Sequence, residues 1–229
     1  MVVCGIIIAL QVNNWNERGK EKQEQFDVAE DIYVELIENR QYVSTTLNRW
    51  REREANILTL SDALITEKLS LRQEQFDSLL FGSINYPNFS LKRNRIDRAL
   101  ASPDFEFKES NELIIEMMNL SNRYDALNEY FEYNQYTWYN ALQPYLVKNY
   151  SFRNINAVFT DVDRDPNVNS SAVLSDPVFE NLINNMHGDV TTLIRNLNVC
   201  LSEIDDLMMK LEHVYPKILE HKKTLSSIE

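Results

Sequence analysis

The residues of this 229-residue chain whose types could do chemistry are three histidines, two cysteines and one loop rich in Asp and Asn. A carboxylate-bridged di-iron bundle needs Glu-x-x-His pairs, which set both ligands on one helix face. The residues three before His187, His213 and His221 are Asn184, Lys210 and Ile218, so no such pair exists. No His-x-x-x-His occurs, and three histidines are too few ligands for a persuasive zinc site. His213 and His221 fall near a helix end, where the helix dipole favours a positive imidazole. Cys4 lies in an apolar arm and Cys200 on a core-facing stripe, which argues against a disulfide and against an exposed thiolate nucleophile. The stretch Asp161-Val162-Asp163-Arg164-Asp165-Pro166-Asn167-Val168-Asn169 opens like a calcium-binding EF-hand loop. The match then fails, because Pro166 replaces the glycine of the turn and Ala172 the bidentate Glu. A solvated Asx-rich turn is expected there, with weak cation binding as the alternative. No nucleophile and base can be paired, so the chain reads as no enzyme, with no catalytic residue, no metal site and no cofactor.

Composition narrows the classes further. Only 4 glycines are present, whereas Gly-cradled nucleotide sites and turn-rich β folds need glycine where φ is positive or a phosphate approaches the backbone. The balance of 23 basic against 35 acidic side chains gives −12, which repels phosphate backbones, so nucleic acid is not an expected partner. Hydrophobic residues at 44% and charged residues at 25% are those of a packed protein.

The elements that must position any site read as helices. Between Glu21 and about Thr66 there is no Gly or Pro, and positions 29, 33, 36, 40, 43, 47, 50, 54, 57, 61 and 64 form a mostly apolar face. Arg40, Glu54 and Ser61 interrupt it, which favours a partly exposed bundle helix over an uninterrupted coiled coil. A short helix over Leu71–Phe81 is expected to stop at Gly82, followed by a loop at Asn85-Tyr86-Pro87-Asn88. Leu91–Ala101 is another short helix, ended by Ser102-Pro103-Asp104. Ser110 can cap a long helix running to Leu142 or beyond, with Leu120, Tyr124, Leu127, Phe131, Trp138, Leu142 and Tyr145 on one core stripe. Residues 149–175 form the main irregular segment, with a short extended piece expected around Ala157-Val158-Phe159. Asp176-Pro177 starts the last helix, whose apolar residues run from 179 to 218 in steps of three and four, and Pro216 should end or kink it near Tyr215. The fold class is therefore all-α: an antiparallel bundle of three long helices plus two or three short ones.

Two surfaces stand out. Tyr130, Tyr133, Tyr136 and Tyr139 step around the side away from the core stripe at roughly 60° intervals. Either short helices and the 149–175 segment cover them, or they form a surface for a partner or small ligand. The basic cluster Lys92, Arg93, Arg95 and Arg98 reads as a solvated helix face, with an anionic headgroup or an acidic partner as the alternative.

Residues 2–12 form an uncharged apolar run of roughly 16 Å as a helix, too short for a hydrocarbon core of about 30 Å. The run is read either as a buried apolar arm or as the second half of a membrane helix whose first half lies upstream. Trp15, just past it among amide side chains, suits a membrane interface. The stretch from Gly5, Ile6, Ile7, Ile8, Ala9 and Leu10 through Trp15 to Glu17 closely resembles the membrane-exit signature of an uncharacterised family of bacterial single-span helical proteins common in Bacteroidota. That resemblance implies a partial membrane helix over 1–16, a helical domain over 17–229 facing the periplasm, and an inner-membrane location; it brings no known activity. A protein partner or homo-oligomer is the expected association. The reading is a membrane-tethered interaction or structural domain, with an extracytoplasmic small-ligand sensor as the alternative and a metal-dependent or hydrolytic enzyme as the least favoured class.

Overall fold

A computed structural model of the protein describes residues 2–65, 71–84, 89–102, 111–168 and 170–219, with side chains from Leu10 onward. Among them every regular element is helical: α1 Val2–Ile65, α2 Gln73–Ile84, α3 Asn94–Ala101, α4 Asn111–Thr137, a π-helical turn Trp138–Leu142, α5 Gln143–Asn149, α6 Phe152–Asn156, α7 Ser170–Leu174 and α8 Pro177–Val214. The expected loop Asn85–Asn88, the Ser110 cap, Pro103 and His221 lie outside the described residues, as do the side chains of Cys4 and Gly5–Ala9. No helix among the described residues is long and apolar enough to cross a membrane.

The chain divides into two compact units, and each long helix contributes to both. Unit 1 comprises Met1–Tyr42, Leu91–Arg123 and Cys200–Glu229. Its core joins Ile32 and Leu36 of α1, Ile96 of α3, Leu113 and Leu120 of α4, and Ile204 and Leu207 of α8. Helix α1 begins well before the expected Glu21, and Gly19 lies within it in open space. From Leu10 to Glu24 every side chain is exposed, and Asn13 to Glu17 (3.0 Å) and Gln23 to Asp27 (2.8 Å) add local hydrogen bonds one turn apart.

Helix α1 is buried on more faces than its apolar stripe foretells, because polar residues between the stripe positions also face neighbours. In unit 1, Glu35 is buried and its carboxylate accepts the backbone N–H groups of Arg95 (3.0 Å) and Ile96 (3.3 Å). It thus caps the start of α3 from a different helix, where unpaired N–H groups and the dipole favour negative charge. Asn39 both accepts from the Lys92 N–H (2.9 Å) and donates to the Lys92 carbonyl (2.6 Å). With Lys92 held this way, α3 starts at Asn94 rather than at Leu91.

Unit 2 comprises Val43–Ser90 and Tyr124–Val199. Trp50 packs edge-on against Phe131 at 5.4 Å, and Phe89 stacks on the same ring at 3.9 Å. Gly82 does not stop α2, which runs on to Ile84. A Cβ at Gly82 would collide with the Asn56 side chain, so glycine there serves a close approach of α1 rather than a helix end. The expected extended piece at Ala157–Phe159 is instead a turn continuing α6, with Val158 N–H bonded to Ile155 O (3.2 Å) and Phe159 N–H to Asn156 O (3.1 Å). A lone extended piece has no neighbouring strand to take its backbone groups, whereas the turn satisfies them locally. At the start of α8, the Asp176 carboxylate takes the Val178 N–H (2.8 Å) ahead of Pro177, and the helix ends at Val214 before Pro216.

Candidate functional site: the tyrosine face and its groove

The surface worth building residue by residue lies in unit 2, where α4 passes into α5. Pro144 has no N–H, and its ring crowds the carbonyl four residues back, which would break a regular helix. The chain answers with the wider π turn Trp138–Leu142, in which Gln143 N–H reaches the Trp138 carbonyl. One extra residue per turn resets the register. Leu146 therefore enters the core in place of the expected Tyr145, which is half-buried and donates its hydroxyl to Asp176 at 2.6 Å. Burial, then the bond to Asp176, pushes the Tyr145 phenol above its ordinary range. Leu120, Tyr124, Leu127, Phe131, Trp138 and Leu142 are buried as the stripe predicts.

The opposite face stays in water. Tyr130 is 36% exposed, Tyr133 57%, Tyr136 65% and Tyr139 59%, so neither the short helices nor the described part of the 149–175 segment covers them. Glu129 and Glu132 on this face are exposed and form no ion pair among the described residues. At its end the face meets a groove of about 240 Å³ lined by Phe81 of α2, Gln135, Trp138 and Tyr139 of α4 and the π turn, and Ile155 and Phe159 of the following segment. Phe159 stacks on Phe81 at 4.8 Å yet is itself 58% exposed.

A buried polar clasp that sequence reasoning missed joins α2, the helix that lends Phe81 to the groove, to Tyr150, Arg164 and Ser170. Asp77 is fully buried on α2 and accepts hydrogen bonds from the Tyr150 hydroxyl, from Gln73 Nε2 (3.2 Å) and from Arg164 Nε (3.0 Å). Gln73 in turn accepts the Ser170 N–H (2.9 Å). Burial, then Asp77, drives the Tyr150 phenol well above its ordinary range, so it stays a donor. The one local signal for this clasp is an acid set between Phe76 and the apolar Leu79-Leu80-Phe81.

The other residues singled out for chemistry are placed as follows. In the Asp161–Asn169 loop Arg164 turns inward to Asp77, Arg153 donates to the Asp163 carbonyl (2.5 Å), and Asp165 accepts the Asn167 N–H (3.0 Å) in an Asx turn, while the Asp161 and Asp163 side chains are exposed. Asn169 lies outside the described residues. Among the described residues no group of three or more His, Cys, Asp or Glu side chains could hold a metal ion. Cys200 is buried, and burial, then the Glu203 charge, pushes its thiol up to about 12, while Arg123 opposes this. His187 stands 3.9 Å from Glu54, and His213 is exposed in the last turn of α8.

The basic cluster of unit 1 lies at the surface, with Lys92 and Arg98 exposed and Arg93 and Arg95 part-exposed, as a solvated face would, and most of its charge is matched. Lys92 pairs with Glu38 (3.0 Å), Arg93 with Asp97 (2.7 Å) and Arg95 with Asp31 (3.1 Å), leaving Arg98 exposed. In unit 2, Arg53 is buried, its guanidinium 4.6 Å over the Trp50 ring. Burial raises the Asp189 carboxyl above its ordinary value, opposed by a Thr137 hydrogen bond and then by the Arg53 charge.

No curated protein and no solved structure matches the chain. Its first 191 residues match one family model, and the chain belongs to that family, described as a family of unknown function (DUF6090).

Proposed function

We propose that this protein is a membrane-tethered helical interaction domain that works without catalysis, binding a protein partner through the tyrosine face of α4. Residues 1–16 complete an apolar span at the bacterial inner membrane, and residues 17–229 form the periplasmic domain, an antiparallel bundle of three long helices. The order of contacts supports the bundle. Along α1 the bonded partners on α8 fall in number, from Tyr33 with Glu212 to Arg40 with Asp205 in unit 1, and from Arg51 with Asn198 to Ser61 with Asn184 in unit 2. Exposure of Trp15 at 78%, just past an apolar run, is what an interface anchor requires.

The observation that carries the interaction reading is the exposure of Tyr133, Tyr136 and Tyr139 beside a groove, since large aromatics left in water mark contact surfaces. A photocrosslinking residue at position 136, with the chain in membranes, tests it. Crosslinks lost on replacing Tyr133 and Tyr139 with Ser are expected, and their persistence would point to another surface. The tether is tested by carbonate washing of membranes holding a form with a complete upstream span, compared with a 21–229 fragment; release of the longer form would sink it.

A further inference from the structure

We propose that the groove beside the tyrosine face receives an arginine side chain from a basic segment of the protein partner, an inference that rests on the interaction reading above. The groove's volume of about 240 Å³ is below that of a drug-sized ligand pocket and suits a single side chain. Tyr139 and Phe159 line it, and both rings are mostly in water. A guanidinium is planar, weakly hydrated and stacks on such rings, while its long apolar stem can lie along the part-exposed Ile84 and Phe152, which also line the groove. Gln135 and Asn156 also line the groove, and neither side-chain amide has a hydrogen-bond partner among the described residues. Their oxygens can accept guanidinium N–H groups.

Charge selects the occupant. The stretches 73–84, 124–142 and 154–163, which between them supply most of the groove, contain no Lys or Arg. Of their seven acids, Glu129, Glu132, Asp161 and Asp163 are exposed and in no ion pair among the described residues, while Glu74 and Asp77 pair with Arg164. The two bases that flank the last stretch are both engaged, Arg153 by the Asp163 carbonyl and Arg164 by the buried Asp77. A neutral aromatic side chain would fit the rings but draw nothing from this field, and an acidic one would be repelled.

The test uses the full 229-residue chain in detergent, titrated with acetyl-(Gly-Arg)5-amide and followed by tryptophan fluorescence and calorimetry. The matching citrulline peptide keeps the shape and removes the charge. Saturable binding of the arginine peptide is expected, about fivefold weaker with Tyr139→Ser or Phe159→Ser and about twofold weaker, with a shallower salt dependence, with Glu132→Gln. Both aromatic positions are exposed, and unchanged melting curves would confirm that the variants fold. Equal binding of the citrulline peptide, or full binding by Tyr139→Ser, would overturn the proposal. Mapping the crosslink from position 136 separates the two claims. A crosslinked segment without Arg, or a second copy of this chain, overturns the arginine while leaving the interaction surface in place. Neither crosslink nor peptide binding removes both.

Discussion

The basic α3 of unit 1 and the tyrosine face of α4 in unit 2 were both legible as surfaces for a partner, and the structure treats them in opposite ways. At the start of α3, Lys92, Arg93 and Arg95 are each met by a carboxylate within 3.1 Å, and the first turn is capped by buried Glu35. On α4, the tyrosines remain in water and Glu129 and Glu132 remain without a cation among the described residues. Charge density alone is thus a poor guide to a binding surface, because an acidic chain supplies its own counter-ions to the few basic residues it has. Aromatic area has no such internal remedy except burial.

The comparison can be broken first at the scaffolds beneath the two surfaces. Asp77→Ala, which strips Tyr150 and Arg164 of their shared acceptor, should cost about 3 kcal/mol in urea unfolding, since it leaves a buried polar cluster without its centre. A cost near zero would mean the clasp is incidental to the groove. Glu35→Gln should cost about 1 to 3 kcal/mol, because one amide oxygen cannot take both N–H groups of α3 as a carboxylate does. The same substitution should raise hydrogen exchange over 94–101, and unchanged exchange there would show that α3 does not depend on this cap.

Smaller effects sharpen the contrast between the surfaces themselves. Lys92→Ala removes one exposed pair with Glu38 and should shift stability by no more than about 1 kcal/mol, less in high salt. Replacing Tyr133 and Tyr136 together with Ser should leave stability within about 0.5 kcal/mol. A marked drop in melting temperature would mean that chain does cover them and that the two surfaces are alike. The smallest effect is a pH dependence at Asp176, whose carboxyl is held below its ordinary value first by the Tyr145 hydroxyl and then by the Val178 N–H. A lowered folded-state value makes its contribution full above the unfolded carboxyl range, near about pH 4, and lost as pH falls below that through the folded value. Asp176→Asn should flatten that acid limb, and an unchanged acid profile would rule the contribution out.

Much of this fold follows from the sequence by itself. The all-helical class, the start of α8 at Asp176-Pro177, its end before Pro216, and the burial of Leu120, Tyr124, Leu127 and Phe131 need only periodicity, capping and the absence of Gly and Pro, all of which are local. The outward placement of Tyr133 and Tyr136 was equally legible, because angular position on a helix is fixed by count from the core stripe. What only tertiary structure decided are the places where a neighbour changes a residue's environment. Pro144 turned one helical turn into a π turn and exchanged Tyr145 for Leu146 in the core; Asn56 made Gly82 an approach point rather than a stop. Glu35, Asn39 and Asp77 are buried polar residues with partners far away in the chain, so nothing in their own stretch of sequence distinguished them from solvated ones. Periodicity reports which face of a helix is apolar. Whether the polar faces also meet protein depends on how many neighbours the helix has, and that is a property of the assembled chain.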